Sequence, residues 1–282
     1  MSLVEDRQAF EYVRLKWCAL QDIFLYMRCF RNWRAVWEAT HERAAMPSLK
    51  LRSGLVIHHG TGDDPLFLYR EIFLQHCYDP AGFYIPGTGD TVLDIGANIG
   101  VFMLYLQERS RGIRVHCFEP AAETRARLTR NVMQNGLERF VQVHGLAVTD
   151  REATAQLRQA SFTGHRSLFA SGHVSSTEFE SVPCVGLEGA IEKCGVGKID
   201  LLKVDVEGAE VEILEGADPK IWQRIDRIAL EFHERFRPGG RERCLEVLRR
   251  AAYSHIKVQT FEPDHLNGAI WASREGTVRA ES

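Results

Sequence analysis

Two short runs of charged residues stand at the ends of apolar segments. "LLKVDVEGAE" carries Lys203, Asp205 and Glu207, and "IALEFHE" carries Glu231 and His233. Residues two apart share one side of a strand, so each run presents its polar groups together. If the two strands are neighbours, all five side chains converge. Histidine is the natural general base near neutral pH, which makes His233 the first candidate to take a proton from an acceptor. Asp205 is suited to orient a cationic ligand or the acceptor. Lys203 either lowers the pKa of an acceptor hydroxyl by its charge or pairs with Asp205. Asp205, Glu207, Glu231 and His233 are also oxygen and nitrogen donors suited to magnesium or a transition metal, so a divalent metal is an alternative to a metal-free site. Glu210 stands at a helix start, where an acid favours the helix dipole.

A third cluster lies upstream, in "TVLDIGANIGVF" (residues 91–102), where an apolar strand runs through Gly96 and Gly100 straight into a helix. Glycines at such a point let backbone approach a ligand and adopt dihedrals closed to other residues. A phosphate-cradling loop would need a lysine after the second glycine, and Val101-Phe102 stand there instead. A dinucleotide fingerprint would need glycine where Asn98 stands. The pattern D-x-G-x-N-x-G suits a cationic ligand better than a pyrophosphate, with Asp94 either accepting from the ligand or bracing the loop. Glu119, 25 residues after Asp94, ends the next strand in "HCFEP". An acid there accepts both hydroxyls of a ribose; the plainer reading is an acid at a helix N-terminus. "GLAVTD" then offers Ala147 in a small apolar stretch where an adenine could lie, or a simple loop.

The elements that must position these groups are legible upstream and downstream. In residues 1–45, Phe10, Val13, Trp17, Leu20, Phe24 and Met27 recur at three- and four-residue spacing, the mark of one helix face. That face reads as a core or homodimer contact, beside an aromatic substrate wall or a membrane-surface helix. "LKLRSGLVIHH" reads as a hairpin, and Asp64-Pro65 opens a helix that carries Glu71. Glu71 faces either the site or solvent. From about residue 90, strand and helix signals alternate to the end of the chain. That alternation specifies an α/β fold with a mostly parallel sheet covered on both faces. The expected division is an N-terminal helical and hairpin extension, residues 1–86, and a catalytic domain, residues 87–282.

Taken together and in order, "VLDIGANIG", "FEP", "LAVTD", "LLKVDVEGAEVEILEGA" and "ALEFHE" resemble the FkbM-type family of S-adenosylmethionine-dependent methyltransferases. The resemblance covers roughly residues 66–235, and "KVDVEGAE" is its most family-specific part. It implies a Rossmann-like class I sheet of seven strands with the last reversed, and O-methylation of a sugar or other small metabolite. It further implies that Asp94, Gly96, Asn98 and Gly100 line the methionine side of S-adenosylmethionine and Glu119 the ribose. Glu71 and Ser167 fall in segments similar to the family's.

Composition sets limits on partners. A net charge of −3 gives no long basic surface for nucleic acid, and no N-P-P-Y-like motif follows the fourth strand of the alternating region. Seven scattered cysteines without a C-x-x-C favour reduced thiols in a cytoplasmic setting over a disulfide frame or a zinc site. No apolar run reaches the roughly 18 residues of a membrane span. The histidines outside the acid runs, His116 and His144 among them, show no ligand spacing. An NAD-dependent oxidoreductase and a non-catalytic cofactor-binding module are the competing functions. Acceptor specificity is expected in residues 1–86 and in the 160–180 segment.

Overall fold

A computed structural model describes residues 21–42, 44–158, 179–261 and 265–275. The Phe10–Leu20 portion of the N-terminal helix face and the segment bearing Ser167 lie outside the described residues. The chain forms two compact units that divide between His58 and His59.

In the first unit, residues 21–29 are helical. The expected stripe does not point inward at this end: Phe24 is 71% exposed and Met27 40%, whereas Tyr26 and Phe30 are buried. The helix α1 (Trp33–His41) follows and buries Val36. The expected hairpin is present as β1 (Leu49–Lys50) and β2 (Val56–Ile57), paired antiparallel with Leu49 opposite Ile57. The Asn32 side chain ties the start of α1 to the hairpin. It donates to the Ser48 carbonyl and accepts from the Lys50 amide.

The second unit opens with α2 (Pro65–Tyr69). Asp64 caps it by accepting from the Phe67 amide, and Pro65 sits where no N–H is needed. The helix then widens into a π-helical turn, Arg70–Leu74, which carries Glu71.

The sheet contains β3 (Thr91–Ile95), β4 (Arg114–Phe118), β5 (Val141–His144), β9 (Leu201–Val204), β10 (Arg227–His233), β11 (His255–Thr260) and β12 (Asn267–Ser273), in the spatial order β11-β12-β10-β9-β3-β4-β5. β12 runs opposite to the other six strands and enters between β10 and β11. Every residue of β3 and β9 is buried, as expected of strands covered on both faces. Each fully buried aliphatic side chain contributes about 1.5–3 kcal/mol, so truncating Leu202 to alanine would cost roughly 2–5 kcal/mol.

Strand order reverses between β3 and β9, and a crevice opens there beyond the carboxyl ends of the strands. The helix α3 (Val101–Arg109) leaves that point buried from Val101 through Gln107. Phe102 packs on Tyr78 at 5.0 Å and Tyr105 on Phe73 at 5.3 Å, which presses the 70–78 segment over the crevice. Helix α4 (Ala122–Gln134) joins β4 to β5. A second, three-stranded sheet was not expected as such. It is built from β6 (Ala147–Thr149), β7 (Ala153–Arg158) and β8 (Phe179–Gly186), and leads into α5 (Leu187–Cys194). The helices α6 (Glu210–Gly216) and α7 (Gly240–Arg250) complete the layer against the large sheet.

Candidate active site

The glycine turn is held open from the neighbouring strand. Gly96 has φ +78°, and a Cβ there would stand 1.7 Å from the Asp205 carbonyl oxygen. Glycine is therefore required first for the close passage of β3 and β9. Asn98 is also left-handed, at φ 49°, and its side chain accepts from the Ile99 amide. Gly100, at φ 85°, ends the turn as the N-cap of α3.

Beneath the turn lies a buried cation. Lys203 Nζ stands 3.0 Å from Asp94 Oδ1, donates to the Gly96 carbonyl at 2.6 Å, and lies 3.6 Å from Asp205 Oδ2. Burial opposes its charge, but Asp94 and Asp205 outweigh that and hold Lys203 protonated. Asp94 is fully buried, so of its two expected roles the geometry favours the brace. Lys203 has a nearer partner than the expected Asp205.

Glu119 closes the other side of the turn. One carboxylate oxygen accepts from the Asn98 amide at 3.0 Å, and the other from Ala121 at the start of α4, also at 3.0 Å. It is thus both a helix-terminus acid and part of the cleft wall. The cleft holds about 670 Å³ of empty space, counting its open mouth. Phe118, Leu146, Ala147 and Leu157 make one end apolar, Glu119 and Asn98 mark the middle, and Asp205 and Glu207 stand at the far end. Ala147 sits on β6, so the small sheet supplies the apolar wall. Such a cleft suits a flat apolar ring, adjoining hydroxyls, and a positively charged tail. The two negative charges of a pyrophosphate would meet acids there.

Beyond that end the acid runs converge as expected. Among the described residues, Glu71, Asp94, Asp205, Glu207, Glu210 and Glu231 lie around the cations Lys203 and His233. Burial, with the charges of Glu231 and Asp205, pushes Glu71 up to about 8. Burial likewise pushes Glu207 up to about 8, against the pull of His233. Glu231 is raised by burial and by Asp205. Glu207 adopts φ 56° and Gly208 φ 115°, a reversal that aims the Glu207 carboxylate back toward β10.

His233 lies among three carboxylates. Its Nδ1 is 2.7 Å from Glu210 Oε1, and its Nε2 lies 3.4 Å from Glu207 and 3.5 Å from Glu231. Burial disfavours its charge, yet Glu210 and Glu207 raise it well above its ordinary value. Carboxylates on both sides favour the protonated ring, and a role as general base requires the Nε2 proton to leave first. Donor atoms of Asp205, Glu231 and His233 lie within 4.8 Å of one another, so the described residues of the divalent-metal alternative do come together; binding there would displace the proton of the ligand nitrogen.

Two contributors escaped sequence reading. The Tyr78 hydroxyl donates to Asp205 Oδ2 at 2.9 Å, and the Lys203 ammonium lies 5.2 Å from its ring. Trp271 fixes that segment by donating its indole N–H to the Cys77 carbonyl. No spacing links Tyr78 to Asp205 across 127 residues. Glu210 also does more than favour a dipole. Besides pairing with His233, it accepts from the Gly208 amide and so holds the turn after β9.

A family model described as the methyltransferase FkbM domain matches residues 94–260. The chain belongs to the FkbM methyltransferase family. Its sheet, with the last strand reversed and inserted beside β10, is the Rossmann-like class I methyltransferase arrangement. Among family relatives, 31-O-demethyl-FK506 methyltransferase FkbM of Streptomyces tacrolimicus is 30% identical over 218 residues, 66% of this chain and 82% of that protein. Methyltransferase sdnD of Sordaria araneosa is 30% identical over 210 residues, 64% and 79% of the two chains. Hexuronic acid methyltransferase AglP of Haloferax volcanii is 24% identical over 144 residues, 51% and 56% of the two. No helix of the described residues is long and apolar enough to cross a membrane.

Proposed function

We propose that this chain is an S-adenosylmethionine-dependent O-methyltransferase acting on a hydroxyl of a sugar or other small metabolite. The observation that carries the reading is the polarity gradient of the cleft. An apolar end at Ala147 and Leu157 leads past the Glu119 carboxylate to the acids Asp205 and Glu207. That gradient matches adenine, ribose and a methionine end whose sulfonium and ammonium outweigh its carboxylate. Glu119 would receive the ribose hydroxyls, the Gly96–Gly100 turn would follow the methionine backbone, and Asp205 or Glu71 would receive its ammonium.

S-Adenosylmethionine, when bound, supplies an activated methyl group on a sulfonium. The residues of the chain must hold the acceptor oxygen in line with that methyl and take up the hydroxyl proton. Glu71 is the best-suited proton acceptor. It is less buried than Glu231, it has no ion pair with His233 such as Glu207 has, and its pKa near 8 is matched to neutral-pH proton transfer. Arrival of the cationic donor would favour its ionised form. His233 and Lys203 act as positioning residues that keep the surrounding carboxylates apart.

The relatives' names support an oxygen acceptor on a small molecule. FkbM acts on 31-O-demethyl-FK506, and AglP on a hexuronic acid. A net charge of −3 supports a small molecule over nucleic acid. The test is calorimetric binding of S-adenosylhomocysteine and NAD, followed by transfer of labelled methyl from S-adenosylmethionine to a panel of hydroxylated metabolites. Binding of S-adenosylhomocysteine with label on oxygen is expected. Preferential binding of NAD would overturn the reading, and cofactor binding with no transfer to any extract would favour a non-catalytic module.

A further inference from the structure

A second cluster of donor atoms lies outside the acid site. His116 on β4, His144 at the end of β5 and Cys194 at the end of α5 are 28 and 50 residues apart in sequence. The fold brings one donor atom of each within 4.8 Å of the other two. His116 Nδ1 and His144 Nε2 are 3.3 Å apart. Tetrahedral zinc with bonds of roughly 2.0–2.1 Å to nitrogen spaces two such nitrogens by about 3.3 Å, so the imidazole pair already stands at coordination distance. For a thiolate with a bond of about 2.3 Å, the matching sulfur–nitrogen spacing is about 3.6 Å. Cys194 Sγ then needs to close by at most about 1.2 Å. It now donates to the Ala190 carbonyl within its own helix, a bond it would give up on turning to the ion.

We propose that His116, His144 and Cys194 form a binding site for Zn²⁺ or a similar borderline-soft transition metal, with a fourth position open to solvent. Two imidazoles and a thiolate are the donor set such ions prefer over magnesium or calcium. His116 is buried and the other two are half-buried, so the ion has a protein floor and an exposed mouth. Binding balances simply. The proton now shared between the facing histidine nitrogens moves to the outer nitrogen of its ring, and the Cys194 thiol releases one proton to solvent. Lys193 and Arg114 are the charged groups that bear on the two rings; their repulsion limits affinity and the thiolate offsets it.

The site would join β4, β5 and α5 and reach the cleft. His144 stacks on Phe118 with ring centroids 4.5 Å apart, and Phe118 lines the cleft. An ion there fixes a wall of the cleft without entering it.

The test uses the full-length protein, stripped with chelator and titrated with Co²⁺ and then Zn²⁺. One equivalent of Co²⁺ should produce a thiolate-to-cobalt charge-transfer band that Zn²⁺ abolishes, and Zn²⁺ should raise the melting temperature. Cys194→Ser should remove the band, and His116→Asn should weaken binding at least about tenfold. Glu231→Gln, in the acid site, should keep the band. His144→Asn serves as the second ligand variant if His116→Asn fails to fold, as judged by circular dichroism. Absence of any band, or a band that survives in folded Cys194→Ser, would overturn the assignment.

Discussion

Replacing Lys203 with methionine tests the brace under the glycine turn. The ammonium is buried and serves three oxygens at once: Asp94 Oδ1 at 3.0 Å, the Gly96 carbonyl at 2.6 Å and Asp205 Oδ2 at 3.6 Å. Methionine keeps most of the side-chain volume, so packing changes little. Asp94, fully buried, then either remains charged without a partner or takes up a proton, and both outcomes cost stability. Removing one partner of a buried pair costs about 3–5 kcal/mol. For a unit of this size that corresponds to a fall of roughly 6–20 °C in melting temperature. Asp94→Asn in the Lys203→Met background removes the orphaned charge and should recover part of the loss. What remains is the unpaired Gly96 carbonyl, about 1–3 kcal/mol. The assay is urea denaturation of the wild type, both single variants and the double variant. A Lys203→Met protein within about 1 kcal/mol of wild type, or a cycle with strictly additive terms, would refute the brace.

Other outcomes follow from the same geometry. Glu119→Ala should weaken S-adenosylhomocysteine binding by about 1–3 kcal/mol, read by calorimetry; unchanged affinity in a folded variant would remove it from the ribose site. With Glu71 near 8, kcat/KM should climb with pH toward that value, and Glu71→Gln should lower turnover and abolish the climb; a Gln variant with the wild-type pH profile would exclude Glu71 as proton acceptor. Stability should fall as pH rises from about 5 to 9. The raised carboxyls of Glu71 and Glu207 contribute stability that is full below about 4.5 and lost toward 8, and the raised His233 contributes stability that is full below about 6.5 and lost above; denaturation midpoints that stay level or rise across this window would contradict the charge assignments. Exhaustive chelation separates the two readings of the acid cluster: methyl transfer that persists would exclude a metal, and loss of activity restored by Mg²⁺ or Mn²⁺ would show that Asp205, Glu231 and His233 hold one.

The sequence by itself determined the fold class, the strand–turn–helix around Gly96 and Gly100, and the placing of two charged runs at strand ends. These are local matters. Apolar periodicity, a glycine turn between strand and helix, and two-residue spacing at strand ends each leave a trace within about ten residues. The strand β3 and the helix α3 fall on either side of the Gly96–Gly100 turn, where that trace puts them. Only the tertiary structure decided which charges meet. Which groups meet His233 depended on Glu210 and Glu207 closing around it, and a pKa follows burial and neighbours rather than residue type. Whether Gly96 serves a ligand or a neighbouring strand depended on where the Asp205 carbonyl passes. Tyr78 reaches Asp205 across 127 residues, and His116, His144 and Cys194 meet from three elements, because contacts of that range depend on sheet order, which no single segment encodes.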